Sequence, residues 1–335
     1  MEFTNTPNRL SRNLIIFIAS IILIIVASSM LPTTFFSWLW DRLNVFATVF
    51  LGIFVEAVPY LLLGTLASGL VEVFTDRDQI TRWVSKRPVA SSITGAMMGM
   101  IFPVCECGVV PLTRRLFKKG LPLSAGISFL LAAPVLNPIV LFSTASAFGW
   151  ADMLFWRFFL SLIIAVTVGL VFSVEKDSNN VLKTVFDSHE HVHSYQDKSV
   201  TEKIRQAFLI TVDEFFDMGR YLILGTTLAA GLQTFISQST LLTIGSGPIF
   251  SVLVMLLLTV LLSICSTVDS FVALGFVGTF SFGSILSFLV FGPMVDIKSV
   301  MMYTQVFKRR AVIYIVAIPF MMSLLAGLLF NYLGK

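Results

Sequence analysis

Residues 91–112 are apolar over about the length of a bilayer crossing. The stretch Pro103-Val104-Cys105-Glu106-Cys107-Gly108-Val109-Val110-Pro111 falls in its second half. A plain transmembrane helix does not accommodate that segment. Proline removes a backbone donor and clashes with the preceding turn, and glycine admits unusual backbone angles. A carboxylate at membrane depth costs several kcal/mol unless it faces protein or a cavity. The pattern predicts a broken helix whose tip carries ligands.

Composition places the segment in a membrane. Of 335 residues, 56% are hydrophobic and 13% charged, with 32 phenylalanines. Soluble domains carry about twice that charge. Several runs of about 20 apolar residues predict a helical polytopic protein, and the alternation of a membrane β-barrel is absent. In a soluble chain a net charge of +4 would suggest nucleic acid. Here it fits basic cytoplasmic loops, and no nucleic-acid partner is expected. Three cysteines are too few for a secreted disulfide framework. Arg9 and Arg12 precede an apolar run over 14–31 that ends without a small-residue cleavage site, which predicts an uncleaved first span.

Further spans are expected over 45–73, 123–148, 153–174, 204–236, 284–306 and 311–332, with a long apolar stretch over 249–281. The chain repeats itself. Tyr60-Leu61-Leu62-Leu63-Gly64-Thr65 recurs as Tyr221-Leu222-Ile223-Leu224-Gly225-Thr226, an offset of 161, which places Glu56 on Asp217. Ser128-Phe129-Leu130 recurs as Ser287-Phe288-Leu289, an offset of 159, which carries Pro134 onto Pro293 and Asn137 onto Asp296. Cys105 falls near Cys265.

Charge orients the halves. If 88–119 is a hairpin entering and leaving from inside, and 247–283 its counterpart from outside, 18 of the 23 Lys and Arg lie on the cytoplasmic side. The expected fold is an all-α polytopic membrane protein. It contains an inverted internal repeat with two discontinuous, re-entrant helical hairpins after an extra N-terminal transmembrane helix. The regions are 1–44 with the first span, 45–174 as first repeat, 175–204 as cytoplasmic linker and 205–335 as second repeat.

Two thiols are a soft ligand set for trivalent arsenic, copper(I) or zinc, and Cys105 and Cys107 are the leading candidates. Their alternative is packing, since free cysteine behaves as a small hydrophobe. Glu106 has no easy structural role at that depth. Cys265 and Asp269, with Ser266 and Thr267, form the second tip. The symmetric pair Asn137 and Asp296 completes the candidate substrate site. Glu56, Asp217 and Lys298 are candidates for a proton or ion relay. For Asp217 the alternative is a solvated helix end with Asp213, Glu214 and Arg220; for Asp296 and Lys298 it is a mutual structural pair. His189, His191 and His193 alternate on the linker, where an extended strand would aim them one way for weak metal binding or leave them solvated. No phosphate-cradling glycine loop, His-Glu-x-x-His or Ser/His/Asp set is present, so no enzyme activity and no cofactor are expected.

The run Pro103-Val-Cys-Glu-Cys-Gly-Val-Val-Pro-Leu-Thr-Arg-Arg, with Ala133-Pro-Val-Leu-Asn-Pro-Ile and Gly292-Pro-Met-Val-Asp-Ile-Lys, closely resembles a family of predicted bacterial permeases. That family includes the ArsP organoarsenical efflux permeases. The resemblance runs from about Val45 to the C-terminus. It implies a multi-pass permease of the cytoplasmic membrane, exporting trivalent organoarsenicals in its best-known members, with Cys105, Cys107 and Cys265 as substrate-contacting thiols. Relatives often carry serine between the two cysteines, where this chain has Glu106. A carboxylate beside two thiols suits a cation. The expected cargo is therefore a thiophilic metalloid or metal. The alternatives are a zinc-like divalent metal permease working with a partner subunit, and a non-transporting scaffold. The expected partners are membrane lipid, the small substrate, and a second membrane subunit or another copy of the chain.

Overall fold

The computed structural model describes residues 18–19, 33–75, 80, 84–85, 87–102, 104–150, 152–175, 178–183, 199–235 and 247–333. The expected first span over 14–31, apart from residues 18 and 19, lies outside the described residues, as do Pro103 and the three histidines. Thirteen helices are described: α1 Thr33–Phe74, α2 Pro88–Ile101, α3 Glu106–Lys118, α4 Leu123–Leu136, α5 Pro138–Phe148, α6 Asp152–Ser173, α7 Ser178–Val181, α8 Val200–Phe235, α9 Pro248–Leu262, α10 Asp269–Leu274, α11 Phe282–Met294, α12 Ile297–Val306 and α13 Arg309–Tyr332. Extended pairing among the described residues is limited to two isolated β-bridges.

The chain divides into two compact units, Met1–Thr48 and Val49–Lys335. In the first, the described portion is residues 18–19 and the opening of α1. There Arg42 lies 5.7 Å over the Trp38 ring and Thr48 donates to the Asn44 carbonyl at 2.8 Å. All remaining structure belongs to the second unit. Five runs among the described residues are long and apolar enough to cross a membrane: Phe36–Phe74, Leu123–Phe148, Asp152–Ser173, Phe282–Val306 and Arg309–Tyr332. The protein is an all-α polytopic membrane protein. At 1.5 Å per residue, α8 is about 54 Å long, more than the roughly 30 Å of a hydrocarbon core.

Small residues bring the backbones together, as they do wherever membrane helices associate closely. A Cβ on Gly95 would lie 2.1 Å from the Ala125 carbonyl oxygen, so α2 meets α4 along a line only glycine permits. Ser124 of α4 donates to Ser91 of α2 at 2.9 Å. In the second half Ser251 of α9 and Ser284 of α11 are hydrogen-bonded in the same way. Ser128 donates to the Ala165 carbonyl at 3.1 Å, and Ser287 to the Ser323 carbonyl at 3.0 Å. The hydroxyls of Thr65 and Thr226, which close the repeated hexads, each bond the carbonyl four residues back at 3.0 Å.

These contacts fix the course of the chain. Ser91, at the start of α2, and Phe117, at the end of α3, both lie against the start of α4, at Ser124 and Gly126 respectively. α2 therefore leads away from the start of α4 and α3 leads back to it. The second hairpin does the same: Ser251 and Ser281 both meet Ser284 at the start of α11. The crossing Leu123–Phe148 begins beside Phe117, whose ring is 6.0 Å from Phe307 at the end of the crossing Phe282–Val306. On the far face the rings of Trp156 and Phe282 lie 4.8 and 5.7 Å from Phe330. The crossings Leu123–Phe148 and Phe282–Val306 thus run in opposite directions.

Each of those crossings is broken near its middle. Pro138 begins α5, and a residue before proline is held out of the helical region. Asn137 accordingly sits at φ −55°, ψ 129°, and its side chain caps Ile139 N at 2.9 Å. Asp296, at φ −128°, ψ 172°, caps Ser299 N at 2.7 Å. The symmetric polar pair thus marks two symmetric helix breaks.

Candidate functional site

The hairpin tips are built alike. Cys105 is the N-cap of α3 in extended conformation, and its carbonyl accepts from Gly108 N at 3.1 Å and Val109 N at 3.0 Å. The carbonyl of Cys265 accepts from Val268 N at 3.0 Å and Asp269 N at 3.1 Å. Before it, Ser263 takes the left-handed conformation at φ 46°, which ends α9 and turns the chain. Cys105 and Cys265 are therefore structural equivalents, and Glu106 matches Ser266. Those two equivalents touch: Ser266 donates to Glu106 Oε2 at 3.2 Å. Cys107 lies within the first turn of α3, so the predicted helix break ends at Cys105.

Around this contact the chain gathers its reactive groups. Cys105, Cys107 and Cys265 are free and buried. They are all the cysteines the chain has. The Cys105 and Cys107 thiols lie close to one another, and Tyr60 of α1 lies near Cys265, Cys105 and Thr267. From the broken crossing comes Lys298, 2% exposed. Its Nζ donates to the Ser263 carbonyl at 2.7 Å, and lies 3.3 Å from Asp296 Oδ2 and 3.8 Å from Glu106 Oε1. Two carboxyl groups thus face one ammonium. Among the described residues no group of three or more His, Cys, Asp and Glu is close enough to hold a metal ion. The thiols and carboxylates are neighbours without forming a finished cage.

Asp269 lies apart from this cluster. Arg157, fully buried in α6, grips it in bidentate fashion, Nη2 to Oδ2 at 2.6 Å and Nη1 to Oδ1 at 3.1 Å. Arg157 Nη1 also donates to Thr144 Oγ1 at 2.8 Å and Ser270 Oγ at 2.7 Å, and Ser143 donates to the Thr267 carbonyl at 2.6 Å. The second tip is thereby pinned to α5 and α6 of the first half. The first tip leans the opposite way, with α3 packed on α12 of the second. Gly64 of the repeated hexad is where α1 meets the first tip, since a Cβ there would lie 2.1 Å from Gly108 Cα. Its counterpart Gly225 lets α8 approach Lys298, with 2.8 Å from the added Cβ to Lys298 Cα.

The other candidates fall elsewhere. Glu56 is half-buried on α1, among the charges near Tyr60. Asp217 is paired with Arg220 and lies 3.8 Å from Arg114 on the basic face, away from the tips. Glu214, read as part of a possible solvated helix end, is 3% exposed and 3.3 Å from Arg115. Arg157 is the functional-site neighbour that sequence reasoning passed over. Its signal was available: an arginine inside an apolar span needs a buried partner, and Asp269 was the unpaired carboxylate.

A polytopic helical protein that encloses thiols and opposed charges where broken helices meet belongs to the class of membrane permeases. The chain is a member of the ArsP_1 family, described as predicted permeases, whose profile matches residues 42–332. It is 42% identical over 284 residues to the UPF0718 protein YcgR of Bacillus subtilis, covering 83% of this chain and 95% of that one. It is 38% identical over 270 residues to a Streptococcus mutans protein named as a two-component membrane permease complex subunit, covering 80% and 89%. A shorter match, 27% over 138 residues, is to the UPF0718 protein MJ0584 of Methanocaldococcus jannaschii. These names point to a transporter rather than an enzyme. No solved structure matches the chain.

Proposed function

We propose that this permease exports a thiophilic metalloid or metal species, bound by Cys105, Cys107 and Cys265 where the two hairpin tips meet. The observation that carries the reading is the Ser266–Glu106 contact at 3.2 Å, which joins equivalent points of the two tips amid the chain's three thiols. A soft ion selects thiols. With a trivalent organoarsenical dihydroxide, two thiols form two As–S bonds, two As–O bonds break, and the thiol protons leave with the hydroxides as two waters. With a metal cation, each thiol that ligates releases its proton. Glu106 and Asp296 set the charge of the site against Lys298, and Asn137 shapes the opposite broken crossing. Asp269 holds the second tip through Arg157.

The antiparallel crossings, with paired hairpins between them, support an inverted repeat of 45–174 and 205–335. In this reading the face that carries Arg114, Arg115, Lys118, Lys119 and Lys308 to Arg310 is cytoplasmic. A hairpin with its base inside and another with its base outside, meeting at the midplane, would give a site that can open to either face in turn. In cells, Cys105→Ala should abolish resistance to methylarsenite at normal expression. Unchanged resistance would count against the reading.

The second reading is a divalent transition-metal permease that works with a partner. It is favoured by Glu106 beside the thiols and by the name of the Streptococcus mutans relative. Altered cellular zinc on deletion, with no arsenical phenotype, would select it.

A further inference from the structure

On the basic face the protein holds a cavity of about 390 Å³ lined by Arg114, Lys183, Asp217, Arg220, Tyr221, Leu224 and Gln305. That volume lies within the range of small-molecule sites, roughly 300–1,000 Å³. Among the described residues three cationic side chains and one carboxylate line it. The cations come from three separate parts of the chain: α3, the start of the linker, and α8.

The linker residue is held in place. Leu182 forms an antiparallel bridge with Phe307, Lys183 N donates to the Val306 carbonyl at 3.0 Å, and Lys308 N donates to the Val181 carbonyl at 2.8 Å. Lys183 is thus anchored at the cavity by its own backbone N–H and by the bridge just before it. Asp217 meets Arg220 and, at 3.8 Å, Arg114, so it orders two of the cations without matching all three. Gln305 adds a buried amide oxygen with no hydrogen-bond partner. The amide also lines the cavity and, turned about its last bond, would present that oxygen to a hydroxyl or N–H donor of a ligand.

The cavity also has a direction. Leu224 precedes Gly225, the residue against which Lys298 packs. Gln305 is seven residues beyond Lys298 on α12, two turns along the same face. The cavity therefore lies at the outer end of the α8–α12 seam, whose inner end is the charged cluster between the tips.

We propose that this cavity is an anion-binding vestibule for a small molecule or headgroup carrying carboxylate or phosphate together with a hydroxyl or N–H donor. Asp217 acts there as the residue that orders the arginines, not as a relay at the tips. The inference does not depend on what the thiols bind.

The test uses the full chain in nanodiscs of pure phosphatidylcholine, with citrate and inorganic pyrophosphate as probes in calorimetry. Saturable binding that weakens with salt is expected. Arg220→Gln and Lys183→Gln should each weaken it about fivefold or more, because each removes a charge-assisted contact. Asp217→Asn should strengthen it severalfold, a gain that misfolding cannot imitate. A second arm adds phosphatidylglycerol. If the headgroup is the occupant, it competes with the soluble probes, and native mass spectrometry finds a retained lipid that Arg220→Gln releases. The proposal is overturned if neither the probes nor the anionic lipid bind, or if binding ignores all three substitutions.

Discussion

Breaking the Arg157–Asp269 pair should cost more than any other single change outside the thiol and Lys298 cluster. Arg157 is fully buried, and both carboxylate oxygens of Asp269 are engaged, at 2.6 and 3.1 Å. Asp269→Leu leaves a guanidinium buried without its counter-charge, and Arg157→Met leaves a carboxylate in the same state. Removing one member of a buried pair costs about 3–5 kcal/mol. That amounts to roughly two to three and a half powers of ten in the unfolding equilibrium. The double variant Arg157→Met/Asp269→Leu buries no lone charge, so its loss should fall well short of the sum of the single losses. A coupling of about 2 kcal/mol or more is expected. Denaturant unfolding in detergent micelles, followed for wild type, both singles and the double, closes the cycle. Additivity within about 0.5 kcal/mol would refute the reasoning, because independent sites behave that way. Transport should fail in the double variant even where the fold recovers, since the second tip would have lost its hold on α5 and α6.

Gly64→Leu should lower thermal stability and abolish transport, because even a Cβ would lie 2.1 Å from Gly108 Cα, while Gly219→Ala, with open space around it, should leave both unchanged in the same melting assay. Lys298→Met, which leaves Glu106 and Asp296 facing each other without their cation, should destabilise the fold by several kcal/mol on denaturant unfolding, and Lys298→Met/Asp296→Leu should recover part of that loss. Asn137→Ala removes the cap on Ile139 N and should cost about 1 kcal/mol, with the start of α5 losing hydrogen-exchange protection first.

The sequence carried the large features because they rest on local chemistry. Apolar runs place helices in lipid, prolines break them, and the hexads at Tyr60 and Tyr221 mark two matching helices. The break at Asn137 was legible from Pro138, and the one at Asp296 only by repeat, since no proline follows it. Cys105 and Cys265 could be aligned from their spacing. What spacing cannot reveal is which side chain from another helix answers a buried charge. Lys298 reads as a partner for Asp296 alone, yet it also reaches the Ser263 carbonyl and lies near Glu106 in the other half. Arg157 and Asp269 are 112 residues apart and meet only because the second tip packs against α5 and α6. Glu214 sits in a charged stretch that reads as solvated, but Arg115 draws it under the surface. The basic-face cavity has no motif at all, because its cations come from three distant parts of the chain.

The most direct test of the central claim is thiol protection in the reconstituted protein. The permease would be exposed to a maleimide during turnover, with methylarsenite, zinc or copper(I) as competitor, and each cysteine then quantified by peptide mass spectrometry. The account predicts that one competitor protects Cys105 and Cys107 together, with Cys265 following. Labelling of all three that no competitor changes would mean that the thiols are packing residues and that the tips do not bind a soft ion.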